Sequence, residues 1–474
     1  MNPAIEPDKP DAVGDHSRLL SLFNDRRYRR IASAVMSGGA ARVLSSSLTL
    51  ISLPLAVRYL GAERYGVWAT VVSVAVWVNL LDLGIAYSLT NVISQAYARH
   101  DRATATRGFA NALAVTLGAA ALTGCVFFLV WQRVNWVAVF NASPALRSEV
   151  RATVLVAAAL MLAGLPLNLA GKVFAGYQEL HTYNQTVALG SVCSLVGLAV
   201  GIWLRAPMPI LFLLSYGCVT AVSGATLLWL VLWHKPWLRP RLQFIDRDTT
   251  IALLGTGWSF LLIHAAAIVV FSTDNIIVSH YLGAAQVTPY SITWRVVGLG
   301  AVLQALVFPA LWPAYAEAQA RGDVAWIRRT FSMVMRVTIA LNLAWAAVIV
   351  VFGRMAIRLW AGSAAVPPSS LLIAMAVWSV IAGFATAQSC LLGALNRTRV
   401  QAIASSIAAM ANLALSIFLV TRMGSLGVIL GTIISYIVVL LIPQSIVVLQ
   451  AVRDLTRTDL APAQNNPTEI QPIA

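Results

Sequence analysis

Long apolar runs divided by short polar breaks set the pattern of this sequence. A helix needs about 20 mainly apolar residues to cross a bilayer. That ruler predicts twelve spans, over about 31–57, 65–95, 108–131, 151–175, 184–204, 207–233, 251–281, 288–315, 331–353, 369–392, 400–421 and 425–449. The expected class is an all-α polytopic membrane protein of two six-helix, pseudo-symmetric lobes around a central cavity. An even number of spans puts both termini on one side.

The pattern repeats. Tyr59-Leu60-Gly61-Ala62 returns 222 positions later as Tyr281-Leu282-Gly283-Ala284, and the same offset carries Ala98-Arg99-His100-Asp101 onto Ala320-Arg321-Gly322-Asp323 and Arg107 onto Arg329. One offset holding at separated places argues for two related halves, an arrangement that in carriers puts the substrate site between the halves near mid-membrane. Gly176 and Gly393, near the inner ends of the fourth and tenth spans, form a further echo. The predicted boundaries are an N-terminal tail over 1–30, one lobe over 31–233, a linker over 234–250, a second lobe over 251–450 and a C-terminal tail over 451–474.

Composition agrees and adds an orientation. Of the 474 residues 59% are hydrophobic and 11% charged, against about 25% charged in soluble domains. The net charge of +15 has no polar domain on which to bind nucleic acid. It reads instead as a topology signal. Basic residues crowd on the side of the termini, at Arg26, Arg27, Arg29, Arg30, Arg99, Arg102, Arg107, Lys235, Arg239, Arg241, Arg328 and Arg329, which predicts cytoplasmic termini. The first 30 residues lack an apolar core before a cleavage site, so no cleaved signal peptide is expected. Trp68, Trp131, Trp136, Trp203 and Trp360 near outer ends, and Trp233, Trp237 and Trp312 near inner ends, predict interfacial belts. Cys125, Cys193, Cys218 and Cys390 lie in apolar runs without metal-ligand spacing and read as packing thiols. No phosphate loop, zinc spacing or nucleophile elbow is present. The expectation is neither an enzyme nor a cofactor protein.

Charge within the apolar spans concentrates on the two hairpins, at Arg42, Asp82, Asp274 and Arg295. A charge at mid-bilayer costs roughly 2.5–3.5 kcal/mol on insertion scales and usually faces a cavity or a partner. Two readings stand for the arginines. Arg42 with Asp82, and Asp274 with Arg295, lie at matching depths and are able to lock each hairpin as ion pairs. Alternatively Arg42 and Arg295 line a water-filled cavity and grip an anion, a task that suits the planar guanidinium fork. Asp82 and Asp274 then either neutralise or couple a proton or Na⁺. His264 stands at the repeat equivalent of Arg42 and reads as a packing residue or a third cavity residue.

The run Arg58-Tyr59-Leu60-Gly61-Ala62-Glu63-Arg64-Tyr65-Gly66-Val67-Trp68, followed by Leu81-Asp82-Leu83-Gly84-Ile85, resembles the opening hairpin of the polysaccharide biosynthesis transporters, the O-antigen and exopolysaccharide flippases. That superfamily also includes multidrug and toxin extrusion carriers and lipid II flippases. The resemblance implies movement of undecaprenyl-pyrophosphate-linked oligosaccharide from the cytoplasmic to the outer leaflet of a bacterial inner membrane, by alternating access. Expected partners are that lipid, the bilayer, a polysaccharide polymerase and a chain-length regulator. Arg42 and Arg295 match places where relatives carry cavity arginines. Twelve spans depart from the fourteen of typical lipid II flippases. The alternatives are a cation-coupled drug exporter of the same fold, working through Asp82 or Asp274, and a membrane polymerase or acyltransferase.

Overall fold

The computed structural model describes residues 26–460 except Leu83, Asn396 and Thr398, and for 26–43 and some further helical positions it describes the backbone only. All regular structure among these residues is helical. The described residues form twelve long helices. Helix α1 covers 26–60 and α2 62–98, the latter passing through a 3-10 turn at Asn79–Asp82 before its last segment, Ile85–Ala98. Helices α3 (Arg102–Trp131), α4 (Pro144–Gly176), α5 (Leu180–Trp203) and α6 (Met208–His234) complete the first lobe. The second half opens with α7 over 247–282, interrupted at Thr273, and α8 over 284–320, interrupted by a 3-10 turn at Leu299–Ala301. Helices α9 (Val324–Ala361), α10 (Ser369–Ala394), α11 (Arg399–Met423) and α12 (425–460) follow. Eight of the twelve are long and apolar enough to span by length and composition alone. The other four are the members of the two hairpins. This is a multi-pass membrane protein with two lobes.

The repeat is written in the backbone. Gly61 and Gly283, 222 residues apart, join α1 to α2 and α7 to α8 with φ of 74° and 93°, a region that costs other L-residues dearly and glycine little. His100 and Gly322, at the same offset, close α2 and α8 with φ of 55° and 69°. The aspartate after each, Asp101 and Asp323, then caps the next helix, accepting from the Thr104 and Trp326 amides at 3.0 and 3.2 Å. Capping satisfies a donor that the first turn would leave unpaired. Gly176 packs against α2 beside Thr90, and Gly393 against Trp312 of α8; 90 and 312 are again 222 apart.

Small residues let neighbours approach. A Cβ at Gly197 or Gly201 of α5 would run into Leu214 or Leu211 of α6, and at Gly427 or Gly431 of α12 into Leu419 or Ser416 of α11, the close packing that paired small residues allow in membranes.

The two lobes meet chiefly at the end that carries the Gly61 and Gly283 turns, called here the hairpin end. There one buried cluster runs through both, from Leu53, Tyr65 and Phe212 to Val287, Ile357 and Met375. Polar ties reinforce it: Arg58 donates to the Leu359 carbonyl, Trp360 Nε1 to that of Leu50 at 3.0 Å, Thr288 Oγ1 to that of Ala62 at 2.6 Å, and Ser279 Oγ to that of Phe140 at 2.8 Å. At the opposite, termini end, each lobe has its own core. One holds Ile85, Phe109, Val173 and Leu230; the other holds Phe308, Tyr315, Ile327 and Leu391.

The connection between halves is a strap rather than a slack loop. Lys235, 6% exposed, donates from Nζ to Glu179 at 2.8 Å and lies 4.1 Å from the centre of the Tyr177 ring. His234 meets the other Glu179 oxygen at 2.8 Å. Further on, buried Asn111 of α3 donates to the Phe244 carbonyl and accepts from the Asp246 amide and the Thr250 hydroxyl. Leu253 of α7 joins the first lobe's core. The strap and the start of α7 therefore dock on α2–α4, while Val270, farther along α7, packs with Ala409 of α11.

Candidate functional site

Where the shared core gives out, a cavity of about 460 Å³ opens between the lobes. Twelve of its lining residues form six repeat-equivalent pairs: Leu50 with Ser272, Leu53 with Asn275, Ala69 with Ser291, Val72 with Trp294, Ser73 with Arg295, and Val76 with Gly298. The cavity thus sits on the pseudo-twofold axis. Its chemistry does not share that symmetry. In the first half the wall is apolar apart from Ser73 and Thr49; in the second it carries two hydroxyls, an amide, an indole and a guanidinium.

Arg295 is the charge of this site. It lies twelve residues beyond Gly283, about 18 Å along α8 at 1.5 Å per residue, a distance that compares with half of a hydrocarbon core of about 30 Å. Its side chain is exposed to the cavity, and none of the ion pairs among the described residues includes it. It approaches the buried Tyr65 hydroxyl and lies within electrostatic reach of Tyr216. It also lines a second pocket of about 240 Å³ that continues into the first lobe between α1, α2, α5 and α6.

The expected Asp274–Arg295 pair does not form. Asp274, 4% exposed, begins the second segment of α7 and accepts a hydrogen bond from Tyr290 of α8. Five residues separate Tyr290 from Arg295, which at 3.6 residues per turn places them about 140° apart around the helix. Once Tyr290 faces Asp274, Arg295 must face away, towards Tyr65. Of the two readings of the sequence, the ion pair required a rotation that matching depth alone does not fix. The second Asp274 oxygen is buried without a partner, and so is Oδ1 of Asn275, whose Nδ2 donates to Ser73 Oγ at 2.9 Å across the lobes.

Arg42, Asp82 and His264 belong to helical or 3-10 backbone, and their side chains lie outside the described residues. Of the tryptophans, Trp203, Trp233 and Trp312 are exposed at helix ends as a belt requires. Trp68 is not. It is 7% exposed and packs its ring 4.8 Å from Phe212 and 5.9 Å from Tyr216, because its face of α2 turns towards α6. Tyr65, Tyr216, Tyr290 and Asn275 escaped the reading of the sequence, since aromatic and amide residues in apolar runs look like packing. The closeness of Tyr65 to Trp68, of Asn275 to Asp274 and of Tyr290 to Arg295 along the chain was the available signal, and Tyr216 had none.

Comparison with known proteins places this geometry. The family model described as polysaccharide biosynthesis protein matches residues 33–319. A Salmonella typhi protein named as an O-antigen transporter is 22% identical over 304 residues, covering 64% of this chain and 68% of its own. A Yersinia pseudotuberculosis protein named as an O-antigen export protein is 24% identical over 297 residues, covering 60% and 65%. The matched stretch is about two thirds of each relative's length. Among solved structures, an inward-facing multidrug resistance MATE family transporter of the MOP superfamily superposes with a TM-score of 0.75 at 16% identity, over 87% of this chain and 96% of its own. An outward-facing one gives 0.59 at 15% identity, over 90% and 96%.

Proposed function

Because the chain belongs to the polysaccharide biosynthesis protein family, we propose that it is a flippase which carries undecaprenyl-pyrophosphate-linked oligosaccharide across a bacterial inner membrane. The observation that carries this reading is Arg295, a guanidinium with no ion-pair partner among the described residues, placed where a central cavity meets a side pocket. A free cation in hydrocarbon is costly unless its ligand is an anion, and the pyrophosphate of a lipid carrier is one. Arg42, its match by depth in the first hairpin, supplies a second grip.

The transport cycle is alternating access. With the termini in the cytoplasm, as the basic residues of that end favour, the hairpin end is the closed outer side. The head enters between the separate cores of the inner side, and rocking of the lobes opens the shared core outward while the polyprenyl tail stays in lipid. Moving an elementary charge through 100 mV is worth about 2.3 kcal/mol, so an inside-negative potential drives the anion outward. Asp274 is free of Arg295 and keeps one unpartnered oxygen, which favours an ion-coupling role over a neutralising one. The product is handed to a polymerase acting with a chain-length regulator.

A strain lacking the gene tests the reading. Completed lipid-linked units should accumulate on the cytoplasmic leaflet, relieved by the wild-type chain and not by Arg295→Ala at equal protein level. Normal polymer in the deletion strain, with no trapped intermediate, would sink it. Export by Arg295→Ala at the wild-type rate would remove Arg295 from the site.

A further inference from the structure

The side pocket of the first lobe has its own chemistry, unlike that of the central cavity. Its walls present hydroxyls from three helices, Ser52 of α1, Ser191 and Ser194 of α5 and Ser215 of α6, beside the rings of Trp68 and Tyr216. Among the described residues no carboxylate lines it, and Arg295 at its mouth is the one charged lining residue. Ser52 and Ser191 spend their protons on carbonyls of their own helices, at 3.1 and 3.0 Å, and keep oxygen lone pairs. Ser215 spends nothing. It is 4% exposed, and its Oγ is buried without a hydrogen-bond partner. An orphaned polar group costs stability, and a serine in an apolar helix ordinarily bonds back to the preceding turn.

We infer that this pocket is a monosaccharide subsite, which takes the sugar ring adjoining the pyrophosphate held by Arg295. The inference rests on the flippase reading and specifies its substrate contacts. Hydroxyl acceptors and donors beside aromatic faces suit a pyranose, which has an equatorial rim of hydroxyls and an apolar C–H face. A volume of about 240 Å³ falls below the roughly 300–1,000 Å³ of drug-sized sites, so the pocket holds one ring and the rest of the oligosaccharide extends into the central cavity. The lack of an acid sets it apart from a pocket for cationic drugs.

Removing the orphan makes a clean test, since Ser215→Ala deletes an unsatisfied buried group and leaves the fold no worse. The full-length protein in nanodiscs is titrated with undecaprenyl pyrophosphate, and with the same lipid bearing one N-acetylglucosamine, one galactose or one N-acetylgalactosamine, and Trp fluorescence is recorded. Wild type should bind at least one sugar-bearing lipid about tenfold or more tighter than the bare lipid. The Ser194→Ala/Ser215→Ala variant should lose most of that preference, in line with about one or two hydrogen bonds, with bare-lipid affinity unchanged. Equal affinities in wild type, a preference that survives the double substitution, or parallel loss of both lipids would overturn the subsite while the flippase reading stands. Binding of none of the lipids by wild type would overturn that reading and the subsite with it.

Discussion

Gly66 of α2 is the residue on which the closed hairpin end depends most directly. A Cβ there would stand 2.6 Å from the carbonyl carbon of Ala284 and nearer still to its oxygen, across the lobe interface at the start of α8. Real Cβ contacts stay beyond 3.0 Å, so the main chain of α8 must retreat by more than 3.0 − 2.6 = 0.4 Å, and it has no rotamer by which to step aside. Overpacking costs about 1–3 kcal/mol, and a main-chain obstacle argues for the upper half of that range. The helix propensity that alanine gains over glycine belongs to α2 in either arrangement of the lobes and cancels between them. Gly66→Ala therefore costs the closed hairpin end about 2–3 kcal/mol, a factor of roughly 30–140 in the closed-to-open equilibrium. The tie from Thr288 to the Ala62 carbonyl lies in the same interface, so an Ala62→Cys/Thr288→Cys pair in a chain stripped of its four cysteines reports closure through its rate of oxidative cross-linking. Gly66→Ala should slow cross-linking by that factor. Gly255→Ala, where an added Cβ meets nothing within 4 Å, should leave it unchanged. Equal rates in the two variants would refute the idea that this backbone crossing holds the lobes together.

The strap offers two further tests. Burial pushes Glu179 upward, but hydrogen bonds from Lys235 and His234 more than offset it and hold the carboxyl below its usual range. A depressed carboxylate stabilises above its unfolded value of about 4.3 and loses that contribution as pH falls through the folded value. Hydrogen exchange over 230–240 should stay slow from neutral pH to about 5 and quicken only in stronger acid, with Glu179→Gln abolishing the pH step; an onset near pH 6 would contradict the pairing. Asn111→Ala strands the Phe244 carbonyl and the Asp246 amide, at a cost of about 1–3 kcal/mol. Faster exchange confined to 242–250 and α3 is expected, and unchanged exchange there would mean the strap is held elsewhere. For Asp274→Asn, which retains an acceptor for Tyr290, ion dependence of transport in proteoliposomes should vanish while lipid binding persists; retained ion dependence would remove Asp274 from coupling.

How far the sequence foretold these features depended on the kind of signal each one left. Twelve spans and the hairpin repeat were legible because hydrophobic length and a fixed offset survive without knowledge of rotation. The breaks inside α2, α7 and α8 were not. Proline does not mark them: Pro54 sits in continuous helix, and α7 breaks at Ser272-Thr273-Asp274, where no proline or glycine stands. Apolar content is blind to such backbone changes. Arg295 was found because charge in an apolar span is conspicuous. Its neighbours stayed open between a paired and a cavity arrangement, because matching depth leaves the angle around the helix free. The side pocket was missed because Ser191, Ser194 and Ser215 carry no charge and their runs remain apolar, although the spacing of the first two on one face was there to be read.

The six paired positions of the central cavity have one more consequence. A duplicated frame with identical walls would accept a head group in two equivalent orientations, related by a half-turn about the axis. Divergence of Leu53 from Asn275 and of Ser73 from Arg295 lifts that degeneracy. For the proposed lipid-linked substrate, a pyrophosphate held by the second-half wall would turn its sugars towards the first-half wall and its tail to one flank of the molecule, so that of the two gaps between the lobes one would serve as the lipid's doorway.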